Sequence, residues 1–395
     1  MDQWSDGAIP HRSACVTTPF PPCYARVAHV VQRHPYVGRE PQAIQEEKNS
    51  MSKNGMLVRI SLAVAAAAAL AIVAVSAGPA GAASKSVTLS GAGSTFVAPL
   101  ISTWTAIPSQ SGSPFTSAKH ITVNYGGGGS GAGVTSIANK TVDFGASDAP
   151  LRVFSPTCTT CVQIPWALSG TAIIYRIDGV TATLRMSGPV LASIYLDKIS
   201  YWNDPAIKAL NPGVTLPHLK IVTVHRDSSS GTTYNFTDFL SHTSPAFKTR
   251  IGATTFPGNG GAHGWPSTNP FLEGHGSSGV AGKVAGQNGS VGYVDLYYGI
   301  SAHLKFMKIR NEHGNFILPS LTSIAIAAKT QKNPYATGEL SIVDPPNSVI
   351  LKNAYPIATY TYVDVQKHSG GKAASLRTFL TWAVTTWQTG GPAPG

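Results

Sequence analysis

Acidic residues are scarce in this chain. It carries 18 Asp+Glu against 29 Lys+Arg in 395 residues, and charged residues of both signs make up only 12%, about half of what an average globular domain carries. With 43% of its residues hydrophobic, the chain is neither an acidic disordered polymer nor a coiled coil. Cysteine is scarce too, at four residues. A chain this long holds two or three domains and can bury a real core, so a disulfide-held mini-protein is excluded. The few carboxylates do not cluster, which argues against a two-metal phosphatase or a paired-carboxylate hydrolase. Other enzyme signatures are missing. No Ser has Gly at both the i−2 and i+2 positions, so there is no nucleophile elbow. Gly-Lys-Ser/Thr and His-Glu-x-x-His are also absent, which removes the nucleotide P-loop and the zinc protease helix. What remains is built to hold a ligand rather than to react with one.

Long apolar runs are lacking except at residues 60–75. Met51, Lys53 and Arg59 precede that run, and the small residues Ala80-Gly81-Ala82-Ala83 follow it. Residues 51–83 therefore read as a secretory signal peptide, with 1–50 an extension upstream of a true start at Met51 or Met56. No Cys directly follows the apolar run, so no lipid-attachment site is expected at the mature N-terminus. The expected location is the periplasm or the cell exterior, free or wall-associated. Residues 1–83 hold seven basic and five acidic residues, which leaves +9 of the formal +11 for the mature chain. The basic residues are scattered. Their densest group, Lys305, Lys308 and Arg310, reads as a solvated face and not as a nucleic-acid groove. In an oxidising compartment Cys158 and Cys161, in Cys-Thr-Thr-Cys, are expected to form a local disulfide, with no second Cys pair or His nearby to suggest zinc.

Glycine is what the chain has in quantity, 40 residues of it, and it recurs in one pattern. A strand at 87–89, a Gly-rich loop at 91–95 and a helix at 96–104 with Phe96, Val97, Leu100, Ile101 and Trp104 on one face make the first copy. The second is a strand at 120–125, a loop at 126–133 and a helix from Val134 with Ile137 inward. The third is a strand at 219–224, a loop at 226–231 and a helix from Thr232 bearing Phe236, Phe239 and Leu240. A helix start offers unpaired N–H groups and partial positive charge, and Gly lets the main chain approach a ligand. Ser94, Thr95, Ser130, Ser230 and Thr232 add hydroxyls, and Arg226 adds a full charge. Ser and Thr are also ordinary N-caps, but three such loops in one chain favour an oxyanion site. Residues 141–150 read as a strand entering a loop closed by Pro150, with Asp148 at the strand's C-terminal end, where open α/β sheets bind ligands. Residues 253–290 form a Gly/Ser/Asn-rich stretch, 291–298 a strand, and Leu376, Phe379, Leu380, Ala383 and Trp387 one face of a final helix. Strands alternating with helices predict an α/β protein.

The chain resembles the extracytoplasmic phosphate-binding proteins of bacterial phosphate-specific ABC importers. The matching stretches are Gly91-Ala-Gly-Ser-Thr-Phe-Val-Ala-Pro-Leu100, Tyr125-Gly-Gly-Gly-Gly-Ser-Gly-Ala-Gly133, Val142-Asp-Phe-Gly-Ala-Ser-Asp-Ala-Pro150, Ile164-Pro165, Tyr201-Trp-Asn-Asp-Pro205, Leu210-Asn-Pro-Gly213, Val224-His-Arg226 with Ser230-Gly-Thr232, and Asn288-Gly-Ser-Val-Gly-Tyr-Val294. The resemblance implies a type II periplasmic-binding-protein fold, in which two α/β lobes joined by two hinge crossings close over one ligand. It implies lobes of 84–167 with 306–395, and of 168–305. The phosphate ligands it implies are Thr95, Phe96 through its backbone N–H, Ser130, Asp148, Arg226, Ser230, Gly231 and Thr232. It further implies a monomeric, non-enzymatic protein with inorganic phosphate as ligand, no cofactor, no metal and no nucleic acid. Its partners would be the membrane permease and ATPase subunits of an importer; a secreted phosphatase using the same cradle is the alternative. Asp148 would distinguish anions, because phosphate near neutral pH keeps a proton for a carboxylate to accept and sulfate does not. One departure from the family stands out. An acidic residue is common two positions after the Arg, whereas here Asp227 follows Arg226 directly and Ser228 and Ser229 come next. An adjacent residue on a strand points to the other face, so Asp227 is not expected to hold the guanidinium in the same way.

Overall fold

The computed structural model describes residues 86–105, 115, 120–330, 341–346 and 348–385, all within one compact unit. The signal segment, the upstream extension and Trp387 lie outside the described residues. The chain opens with β1 (Val87–Gly93), α1 (Ala98–Thr105), β2 (Ile121–Gly126), α2 (Ser130–Ala138), β3 (Phe144–Ser147) and β4 (Cys161–Arg176). It continues through β5 (Arg185–Met186), α3 (Gly188–Tyr195), α4 (Pro205–Leu210), β6 (Val222–Arg226), α5 (Gly231–Thr243), α6 (Pro245–Arg250), β7 (Phe271–Gly274), α7 (Gly276–Gly286), β8 (Ser290–Asp295) and α8 (Leu296–Ser301). Last come β9 (Lys305–Phe306), β10 (Lys308–Arg310), β11 (Phe316–Ile317), α9 (Leu321–Ala327), β12 (Ala358–Gln366) and α10 (Ala373–Val384).

The main sheet runs β2-β1-β3-β12-β4-β8-β6-β7, with β9 on β4, and a small sheet runs β11-β10-β5. β1 is parallel to β2 and β3, and β6 is parallel to β7 and β8. Such strands need crossovers, and helices supply them. Between these two parallel groups lies β4, 16 residues long. It pairs antiparallel with β12 as far as Gly170 opposite Ala358, then with β8 from Thr171 opposite Asp295. One strand therefore serves both groups.

Period-two alternation explains the packing there. Ile173 and Tyr175 of β4 join a cluster with Leu191, Phe236, Phe239 and Tyr293, while Ile174 between them turns to Val224, Val280, Val284 and Val294. β6 is buried at every residue, as expected of a parallel strand covered on both faces. Around β1 and β3 the core is aromatic. Trp104 meets Trp166, Phe379 and Trp382 edge-on at centroid distances of 5.4, 6.1 and 6.0 Å, contacts worth about 0.5–1.5 kcal/mol each beyond the area they bury. Residues on the later chain, including Met307, Ile309, Ile324, Ile342, Tyr355 and Ile357, pack into the same cluster as Ile173 and Phe236.

The structure moves several boundaries. β1 runs to Gly93 because that end still pairs with β3. α2 begins at Ser130, four residues before the expected Val134, because Gly129 at φ 95° turns the chain straight into the helix. β6 extends to Arg226 and α5 starts at Gly231. The strand expected at 291–298 stops at Asp295, where α8 takes over. The apolar pattern conceals this turn because Leu296 is buried as well. Within the stretch 253–290 lie β7 and α7, whose Val280, Ala281 and Val284 pack under β6 and β8. In α10, Leu376, Phe379 and Ala383 are buried as expected.

Candidate functional site

The C-terminal ends of β1, β3, β6 and β8 and the starts of α2, α5 and α7 carry polar side chains that burial would make costly unless they were paired. Asp148, just past β3, is 2% exposed. Its Oδ1 accepts from Ser94 Oγ at 2.5 Å and its Oδ2 from Ser130 Oγ at 3.1 Å. Ser94 Oγ also accepts the Phe96 backbone N–H at 3.0 Å. Burial pushes the Asp148 carboxyl above the usual carboxylate range, against the hydroxyls of Ser94, Thr361 and Ser130 and the charge of Arg226, which pull it down.

Arg226 ends β6 and is also 2% exposed. Its Nη1 donates to Ser230 Oγ at 2.8 Å, and its backbone N–H to the Tyr293 hydroxyl at 3.3 Å. Nε and Nη2 are buried with no hydrogen-bond partner among the described residues. An unmade bond of this kind costs about 1–3 kcal/mol, and more for a charged group, so the guanidinium is poised for an acceptor. Nη2 lies against the start of α2, where a Cβ added to Gly129 would stand 2.9 Å from it. Ser230 caps α5 by accepting from Thr233 N at 3.3 Å. Gly231 follows, and a Cβ there would meet the Asp148 Cβ at 2.7 Å. That close approach explains glycine at this position.

Thr232 and Thr95 are linked through Asp295. Thr232 Oγ1 donates to Asp295 Oδ1 at 3.3 Å, Ser277 Oγ to Asp295 Oδ2 at 2.7 Å, and Thr95 Oγ1 to Ser277 Oγ at 3.3 Å. Burial first, and the Asp148 charge second, push Asp295 up to about 7. The structure thus brings all eight expected residues, Thr95, Phe96, Ser130, Asp148, Arg226, Ser230, Gly231 and Thr232, into one connected cluster. Ser94, Ser277 and Asp295 belong to it as well, and sequence reasoning did not count them among the ligands. The rule that marked Asp148, an acid at the end of a buried strand, also marks Asp295 once β8 is seen to stop there. Gly276-Ser277-Ser278-Gly279 at the start of α7 repeats the Gly/Ser pattern a fourth time.

Asp227 turns away from Arg226, with its Oδ2 3.2 Å from His275 Nδ1. Ser228 Oγ, at the position where the family commonly has an acid, is buried without a hydrogen-bond partner among the described residues. Cys158 and Cys161 are disulfide-bonded and pack against Ile137 of α2. Among the described residues no group of three or more His, Cys, Asp or Glu could hold a metal ion, and no helix is long and apolar enough to cross a membrane.

Residues 78–386 match the model of the PBP superfamily domain. The chain is 35% identical over 313 residues to the phosphate-binding protein PstS of Xylella fastidiosa, covering 78% of this chain and 81% of that one. It is 34% identical over 293 residues to PstS of Pasteurella multocida, covering 72% and 78%. Among solved structures, a phosphate-binding protein from Stenotrophomonas maltophilia superposes with a TM-score of 0.52 at 19% identity, over 75% of this chain and 84% of that one. That likeness speaks to the fold, which is the type II periplasmic-binding-protein fold. By the family model and these relatives, the chain belongs to the PBP superfamily, among the PstS phosphate-binding proteins.

Proposed function

We propose that the chain is a non-enzymatic receptor that binds inorganic phosphate outside the cytoplasmic membrane and delivers it to an ABC importer. The observation that carries this reading is Arg226, buried, with two guanidinium nitrogens unpartnered, beside the starts of α2 and α5 and within electrostatic reach of Asp148. A guanidinium pairs bidentately with phosphate oxygens in a dry cleft. The hydroxyls of Thr95, Ser130, Ser230 and Thr232 and the N–H groups of Phe96 and Gly231 share the remaining charge, and Asp148 takes the phosphate proton. The relatives are named for binding phosphate, and the phosphatase alternative is set aside.

The ligand would sit between two lobes. The expected division was 84–167 with 306–395, and 168–305. Met307, Ile309, Ile324, Ile342, Tyr355 and Ile357 share a core with Ile173 and Phe236, which favours drawing the second crossing near Ile357 and the first at Gly170. Export through a signal at 51–83, a monomeric state, and docking on permease and ATPase subunits complete the reading. Calorimetric titration in phosphate-free buffer tests it. One phosphate should bind per chain, and sulfate in roughly hundredfold excess should fail to displace it. Absence of phosphate binding, or equal competition by sulfate, overturns the reading.

A further inference from the structure

Asp295 and Ser277 lie behind the proposed ligand set, and Tyr298 stands beside them on α8. Ser277 and Tyr298 reach Thr95, which belongs to the other strand group, and Asp295 backs Ser277. Ser277 meets Thr95 twice: its Oγ accepts from Thr95 Oγ1 at 3.3 Å, and its backbone N–H donates to the same Oγ1 at 3.4 Å. The Tyr298 hydroxyl donates to the Thr95 carbonyl at 2.8 Å. Asp295 does not touch Thr95, but it accepts the Ser277 hydroxyl at 2.7 Å, the shortest bond of the set. That bond fixes the direction of the Ser277 proton. With its proton committed to Asp295, Ser277 Oγ can only accept, so Thr95 Oγ1 donates either to it or, with the anion present, to the anion while still accepting the Ser277 N–H.

We propose that Asp295, Ser277 and Tyr298 form a clasp that grips the Thr95 loop when the two lobes are closed, with Asp295 the positioning residue that sets how long the bound anion is retained. The proposal rests on the phosphate reading and adds to it a device for release. The clasp joins β1's loop to the ends of β7 and β8, two parts of the chain about 200 residues apart. It can form only after the lobes have met, so it governs opening and not encounter. Other contacts cross the same gap. Gly131 N–H donates to the Ser229 carbonyl at 3.2 Å, and Asn235 Nδ2 to the Asp148 carbonyl at 2.8 Å, so losing the clasp weakens closure without abolishing it. Tyr298 suits the role because burial and the Asp295 charge raise its pKa, which keeps its hydroxyl a donor at any physiological pH.

The test is stopped-flow kinetics of phosphate association and dissociation on the full mature chain, comparing wild type with Asp295→Asn, Ser277→Ala and Tyr298→Phe. The last removes one oxygen and leaves the ring, so it is the variant least prone to misfold. The expected result is a dissociation rate raised about tenfold or more in each variant, in line with the loss of a charge-assisted or buried hydrogen bond, with association rates within about twofold. Asp295→Asn and Ser277→Ala together should cost less than the sum of the two alone, because they act through one bond. A thermal melt of the phosphate-free proteins separates positioning from folding. If wild type binds phosphate but dissociation is unchanged in all three variants, or if only the melting temperatures move, the clasp is overturned and the receptor reading stands. If wild type binds no phosphate, both are overturned.

Discussion

Two carboxyls, Asp148 and Asp295, and one guanidinium, Arg226, are buried together, and in the proposed phosphate site the protons among them would decide which anion fits. Ser94 and Ser130 already donate to ionised Asp148, so the lone pairs it turns to the ligand can be satisfied only by an anion that brings a proton. Its pKa is raised by burial, so lowering the pH protonates it, and the protonated carboxyl can donate to sulfate. Discrimination against sulfate should therefore be greatest at high pH and shrink as the pH falls through the raised value. A site with a buried polar group left unpaired rejects the wrong ligand by up to about 10⁴-fold, so the loss is measurable. Competition titrations carried down from about pH 8.5 should show the phosphate-to-sulfate preference falling as the raised Asp148 value is passed. In Asp148→Asn the preference should be smaller at every pH and nearly flat, because an amide donates regardless of pH. A wild-type preference that ignores pH would contradict this role. Asp148 and Arg226 were legible in the sequence because a charge at the mouth of a Gly/Ser loop is conspicuous. Asp295 was not, because Val291 to Val294 and Leu296 on either side make one apolar run, and nothing in the residue types announces the change from strand to helix.

The second Gly/Ser loop shows how an element carries its site. The start of α2 is held by the Gly129 N–H bond to the Gly93 carbonyl at 2.7 Å, and its end by Ile137 packed on the Cys158–Cys161 loop. Gln366 Nε2 of β12 donates to the Ile137 carbonyl at 2.6 Å and lies 3.6 Å from Cys158 Sγ. The disulfide braces the end of the helix opposite Ser130, away from the proposed anion site. Replacing both cysteines with serine should lower stability by about 2 kcal/mol, the value for closing so short a ring, while phosphate affinity changes by less than about tenfold. A urea titration and a phosphate titration of the same variant check both halves; an affinity loss larger than the stability loss would show that the brace reaches the site. Gly129→Ala should do the reverse. Alanine is strained at φ 95° and its Cβ would crowd Arg226, so binding should fall by at least about tenfold with a stability cost of about 1–3 kcal/mol. Helices and strands were largely legible from periodicity, but their ends were not. α2 starts early because glycines inside it look like loop in sequence, and α7 was hidden because a helix reading Gly276-Ser-Ser-Gly-Val-Ala-Gly has weak propensity and is held instead by packing under β6 and β8.

At the scale of the whole molecule, two electrostatic effects oppose each other as pH changes. The formal charge of +11 makes acidification unfavourable through self-repulsion, but most of that charge is on the surface and is screened within about 10 Å in ordinary salt. Buried acids work in the opposite direction. Asp364 on β12, between β3 and β4, is fully buried. Its Oδ1 accepts from Gln163 Nε2 at 2.9 Å, while Oδ2 has no partner among the described residues. Burial, assisted by the Asp148 charge, pushes Asp364 up to about 7. Asp295 and Asp344 are likewise pushed up to about 7, chiefly by burial. A carboxyl whose folded pKa exceeds its unfolded value of 3.8 contributes stability that is complete below that unfolded value and is lost as pH rises through the folded one. Between roughly pH 4 and 7 the native state holds the extra proton, and each such group tilts stability downward with rising pH by at most about 1.4 kcal/mol per pH unit. Because these groups are desolvated and the surface charge is screened, the buried acids should win. Phosphate-free protein should resist urea better at about pH 5.5 than at about pH 7.5. Asp364→Asn keeps the shape and can still accept from Gln163, so it should fold and show a shallower dependence over the same range. Parallel slopes for wild type and Asp364→Asn would remove Asp364 from the account and leave the pH response to the remaining buried carboxyls.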